Sequence, residues 1–130
     1  MPARQLLVRA AFGVAGAVVC LAALIAHRHV WSPFGVELPW GLALSLTASY
    51  LVVRAAALLD DRPIGAICAA VGWAVMFMYL FSGRPEGDYL FASDWIGYTM
   101  LIGGLVVVGA AVVVSMTGPR PTSGKTAPTI

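Results

Sequence analysis

Four long apolar runs constrain this chain more than any other feature: Leu6 to Ala26, Trp40 to Leu59, Ile64 to Phe81 and Trp95 to Met116. As a helix rising about 1.5 Å per residue, each run can cross a hydrocarbon core roughly 30 Å thick. Inside hydrocarbon a peptide N–H or C=O has no water partner, so only helices or a closed barrel can span it. Barrel strands would alternate apolar and polar residues. These runs are continuous instead, interrupted only by Arg9 and Arg54. The sequence therefore predicts an all-α membrane protein with four transmembrane helices in an antiparallel bundle. The helices are expected at about 6–26, 40–59, 64–81 and 95–116 in one transmembrane domain, 1–116, followed by a disordered cytoplasmic tail, 117–130. Only 11% of the 130 residues are charged, against about 25% in a typical soluble domain.

The boundaries carry their own signals. Pro39 suits the first position of the second helix, and Asp60-Asp61-Arg62-Pro63 is a short polar turn between the second and third. Ser93 or Asp94 can cap the fourth helix. The first run is expected to be retained as a span. It is longer than a signal-peptide core of about 7–15 residues, and Leu24-Ile25-Ala26 lacks the small-x-small cleavage pattern. Cys20 and Cys68 fall at depths about 13 Å apart on this assignment, too far for a disulfide, so both are read as free thiols.

Four spans put both termini and the second loop on one side. Arg4, Arg9, Arg54, Arg62, Arg120 and Lys125 fall on or near that side, and only Arg28 and Arg84 on the other. Positive charge concentrates on the cytoplasmic side of membrane proteins, so the chain is expected in the inner (plasma) membrane with both termini cytoplasmic. Trp31, Phe34, Trp40, Tyr79, Phe81, Tyr89, Phe91, Trp95 and Tyr98 gather at the opposite interface. That is an aromatic belt or a platform for a partner or lipid.

Small residues let helices approach closely in lipid. Gly41, Ser45, Ser49 and Ala56 share one face of the second helix, and Gly97, Gly104, Ala111 and Ser115 one face of the fourth. Gly13 and Ala17 in the first, and Gly65 and Ala69 in the third, form weaker versions. These stripes serve packing within the bundle or contact between copies.

Few residues are candidates for chemistry. Thr47, Tyr50 and Arg54 form a polar stripe on the second helix, opposite its small residues. An arginine within a span is costly and points to function, although Arg54 is near enough to the helix end to snorkel to the headgroups. His27 and His29 flank Arg28 at the far end of the first helix, point to different faces and read as interfacial residues. The third loop holds Arg84, Glu86, Asp88 and Asp94 among aromatics. Its acids can carry protons or hold a cation, or they fold the loop onto the membrane surface.

Several activities lack their residues. No helix centre holds the carboxylate of a proton-coupled exporter, and the cysteines form no reactive pair. No histidines sit inside the helices for haem, and there is no Gly-Lys-Ser phosphate loop or Ser/His/Asp set. No basic stripe suits nucleic acid. The expectation is a protein that is not an enzyme and needs no cofactor or metal. Its partners would be membrane lipids and a membrane or membrane-associated protein or further copies of itself.

The segment Arg84-Pro85-Glu86-Gly87-Asp88, with Ser93-Asp94-Trp95-Ile96-Gly97-Tyr98 after it, resembles an actinobacterial family of small four-span membrane proteins of unknown function. The similarity extends over most of the chain. It implies a four-span fold, a membrane setting and an accessory role, and supplies no activity. Together these readings favour an accessory or scaffold subunit. The alternative is a small transporter or channel component that uses the stripe on the second helix.

Overall fold

A computed structural model of the chain describes residues 2–27, 29–60, 63–82 and 95–119. Nearly all of these lie in four helices: α1 (Ala3–Ala26), α2 (Trp40–Leu59), α3 (Ile64–Phe81) and α4 (Trp95–Thr117). Each is long and apolar enough to cross a membrane, as a multi-pass membrane protein requires. Prolines precede three of them, Pro2 before α1, Pro39 before α2 and Pro63 before α3. A residue without an N–H loses nothing at a position where the helix offers no acceptor. α2 stops where Asp60 turns to extended backbone at φ −105°, ψ 135°. α1 begins a turn before the apolar run and takes Arg4 and Gln5 into the helix.

Consecutive helices run antiparallel, but the bundle is not a square. α2 and α3 form the short diagonal of a rhombus, each touching all the other helices, whereas α1 and α4 stand at opposite corners and do not meet. The most extensive contact joins α1 to α3, which run in the same direction. Here the sequence expectation is corrected: the α1 and α3 faces read as the weaker ones make the most extensive crossing, through Gly16 and Gly72 beside Gly13 and Ala69, whereas Gly65 packs on Ala56 and Asp60. A β-carbon on Gly72 would collide with the Gly13 backbone, and one on Gly16 with the Ala69 carbonyl. With only hydrogen at these positions, the two backbones come into direct contact.

Trp73 of α3 stands at the centre and is completely buried. Its indole N–H donates to Ser49 Oγ on α2 at 3.0 Å, and Ser49 donates in turn to the Ser45 carbonyl at 2.8 Å. Ser45 Oγ lies 2.6 Å from the Gly41 carbonyl and 2.9 Å from the Ala23 carbonyl of α1. On its other side the ring fills the space above Gly104 of α4, where a β-carbon would stand 2.9 Å from the ring. Phe77 stacks on it at 5.0 Å. One side chain thus ties α3 to α2 by a hydrogen bond and to α4 by shape. Satisfying the indole N–H within the core avoids the cost of an unpaired donor in a dry interior.

The small faces of α2 and α4 pack inward as expected. Gly41, Ser45, Ser49 and Ala56 are buried on α2, and Gly97, Gly104 and Ala111 on α4. Cys20 and Cys68 are free thiols. His27 departs from the expectation. It caps the end of α1 and is completely buried, with Nδ1 2.7 Å from the Leu24 carbonyl oxygen. His29 remains exposed and tilts against Trp40 at 5.6 Å.

Candidate functional site

Polar chemistry among the described residues concentrates at the end of the bundle where α1 and α3 begin and α2 and α4 finish. Two arginines enter the spans there, and the fold treats them differently.

Arg9 sits on the inward face of α1, with about nine-tenths of its surface covered. Its Nε donates to Asp60 Oδ2 at 3.2 Å. Asp60 is the residue that ends α2, so the up-down topology delivers an acid to the depth of the α1 arginine. Two opposite charges so covered interact more strongly than at a wet surface. The pair fixes the start of α1 against the α2–α3 turn. Sequence reasoning treated Arg9 as an interruption of an apolar run. The signal available was topological: an acid immediately after the second span shares an end with a base early in the first.

Arg54 is half-buried on the side of α2 that faces α4. Its Nη1 donates to Ser115 Oγ at 3.0 Å, and Ser115 donates its own proton to the Ala111 carbonyl at 2.6 Å. The serine hydroxyl is committed to its helix, so it meets Arg54 through a lone pair. It satisfies one N–H of the guanidinium and neutralises none of its charge.

Along the expected polar stripe the surroundings change. Tyr50 is half-buried against the core and Arg54 lies on Ser115, both on the α4 side. Thr47 is exposed, with its hydroxyl folded onto the Ala43 carbonyl at 2.8 Å, the usual way a threonine hides its donor on a helix. The three share a face of α2 but differ in cover, Thr47 being exposed and Tyr50 and Arg54 half-buried. Arg84, Glu86, Asp88 and Asp94, the third-loop candidates, lie outside the described residues, as do Arg28, Tyr89, Phe91 and the chain from Arg120 onward.

The opposite end is apolar and aromatic. Trp31, Phe34, Trp40, Tyr79, Phe81, Trp95 and Tyr98 are all exposed there, where an aromatic belt would lie. Between α1 and α2 the chain makes a small hairpin, in which Trp31 and Leu38 exchange hydrogen bonds of 3.0 and 2.8 Å. Its tip is Phe34-Gly35, both at positive φ, 58° and 79°, as a type I′ turn requires. Phenylalanine is unusual in that position, and this one is fully exposed. A shallow groove of about 430 Å³ runs along the outside of the α1–α3 crossing, between Ala10, Val14 and Ala17 on one wall and Val75, Met76 and Tyr79 on the other. Its lining is almost wholly apolar. Among the described residues no group of three His, Cys, Asp or Glu side chains is placed to hold a metal ion.

The chain belongs to a family of unknown function, DUF6113, whose profile matches residues 2–127 and so extends through all four spans. No curated protein and no solved structure matches it.

Proposed function

We propose, from membership of that family and from the way the spans use their polar groups, that the protein is a non-enzymatic accessory or scaffold subunit of a membrane assembly. It would reside in the plasma membrane of a high-GC actinobacterium, with both termini cytoplasmic. The observation that carries this reading is the fate of the polar side chains within the helices. Ser45, Ser49 and Trp73 bond to one another or to backbone, Arg9 meets Asp60, and Arg54 meets Ser115. All but the Ser49–Ser45 bond, which lies within α2, join one helix to another, and the outer surface of the bundle is left for lipid or for a partner's helices.

The test is isolation of the tagged chain from its native membranes in mild detergent, followed by native mass spectrometry. The expected result is a discrete assembly of fixed stoichiometry, heavier than the 13.6 kDa chain. A bare monomer from those membranes would refute a scaffold. Placement has its own check, since a reporter fused after Ile130 should be active only in the cytoplasm. The transporter alternative draws less support because the Thr47 hydroxyl is bonded to its own helix at the Ala43 carbonyl. It would return if Arg54→Ala abolished a flux in proteoliposomes while the protein remained folded.

A further inference from the structure

Arg54 carries a positive charge about five residues, or roughly 7.5 Å, inside the end of α2, and among the described residues no acid is paired with it. Its one described hydrogen-bond partner is neutral. The described ion pair at this end of the bundle uses Asp60, and Asp60 faces Arg9. The C-terminal ends of α2 and α4 contribute only partial negative charge, felt within the last turn. That falls well short of a counter-ion for a guanidinium at this depth. Arginine has five N–H donors in a planar fork, and the contact with Ser115 uses one.

The frame around the guanidinium is apolar and faces outward. Leu51 and Leu58, three residues before and four after Arg54 and so on the same face of α2, are exposed. Val114, beside Ser115 on α4, is exposed too. A cation set among outward-facing aliphatic side chains near the end of a span suits an amphipathic anion, with the charge on the guanidinium and the chain against the leucines. An oxyanion with two equatorial oxygens matches the guanidinium fork, and basic pockets between spans recognise lipid headgroups in this way.

We infer that Arg54, held against α4 by Ser115, forms a phosphate-binding site in the leaflet on the side of the chain termini, and that its ligand is the phosphate of an anionic phospholipid. Ser115 is a positioning residue. By accepting one N–H it turns the guanidinium so that the rest of its donors face the lipid between Leu58 and Val114. This site does not depend on the scaffold role and would stand without it.

The experiment uses the full chain in nanodiscs of phosphatidylcholine containing a minor fraction of phosphatidylglycerol, read by native mass spectrometry for lipids that remain bound after the disc is removed. Wild type should retain phosphatidylglycerol in preference to phosphatidylcholine. Arg54→Gln should lower that preference about tenfold, the equivalent of one charge-assisted hydrogen bond. Arg54→Lys should fall between them, because it keeps the charge and loses the fork. Ser115→Ala should keep the preference for the anionic lipid but weaken it, since the charge remains and its orientation is lost. A second arm adds inorganic phosphate to discs of phosphatidylcholine alone. Retention of phosphate there, absent in Arg54→Gln, would support the phosphate site and identify a soluble source. Equal retention by wild type and Arg54→Gln in both arms would overturn the proposal. If Arg54→Gln does not fold, Arg54→Lys decides: wild-type retention of both ligands by the lysine variant refutes recognition by the guanidinium fork.

Discussion

The α1–α3 crossing makes a prediction that neighbouring glycines can check against one another. Substituting Gly72 by alanine adds a single methyl group, which would meet the O, C and Cα atoms of Gly13. All three belong to the backbone, so no rotamer change can make room and the helices must separate. The same substitution at Gly13 meets only the Cys68 carbonyl oxygen, at an ordinary contact distance of 3.5 Å. At Gly109 it meets nothing within 4 Å. Replacing a helical glycine by alanine gains up to about 1 kcal/mol of intrinsic propensity, whereas forcing a methyl into a filled contact costs about 1–3 kcal/mol. The expected order of stability is therefore Gly109→Ala and Gly13→Ala at or slightly above wild type, and Gly72→Ala below it by about 1–2 kcal/mol. Reversible unfolding in mixed micelles, followed by circular dichroism as denaturing detergent is titrated, gives the three differences on one scale. Gly72→Ala as stable as Gly109→Ala would refute the close crossing, and with it the rhombic arrangement.

Three further perturbations test the contacts that position the polar groups. Ser49→Ala leaves the Trp73 indole N–H without its acceptor and should cost about 1–3 kcal/mol; adding Trp73→Phe should recover part of that loss in a double-mutant cycle of micelle unfolding. Asp60→Asn removes the charge opposite a well-covered Arg9 and should destabilise the bundle by on the order of 3 kcal/mol, read as increased protease cleavage near the start of α1. Phe34→Asn puts a residue suited to positive φ at the hairpin tip and should stabilise the detergent-solubilised protein by about 1 kcal/mol; a loss instead would show that the exposed ring packs on something.

The spans were legible because hydrocarbon leaves the chain so little choice. α2 and α3 match their apolar runs, and each begins just after a proline. The early start of α1 was not legible, since polar Arg4 and Gln5 are no obstacle to a helix outside the hydrocarbon. Packing was legible on α2 and α4, where four small residues share a face, and misread on α1 and α3. A short stripe gains its importance from depth: Gly13 and Gly16 lie midway along α1, level with Ala69 and Gly72 midway along α3, and that coincidence appears only once the two helices are known to be neighbours. Trp73 was hidden for a similar reason, as nothing in its own run shows that Ser49 and Gly104 converge on it.

The polar residues divide along the same line. Helical angle alone placed Thr47, Tyr50 and Arg54 on one stripe, yet the partners decide their roles, and these sit on separate helices: Ser115 for Arg54, Asp60 for Arg9. An arginine near the end of a span reads the same in sequence whether it snorkels, pairs or binds. The fold separates these cases by what it brings within reach. Arg9 receives a carboxylate and is covered, whereas Arg54 receives a hydroxyl whose proton is already committed and stays half open to the lipid. Two cations at one end of the bundle thus have different needs. Arg9 is met by a carboxylate of the chain, and among the described residues Arg54 meets no opposite charge. That difference separates an arginine that holds the fold together from one that is placed to hold a ligand.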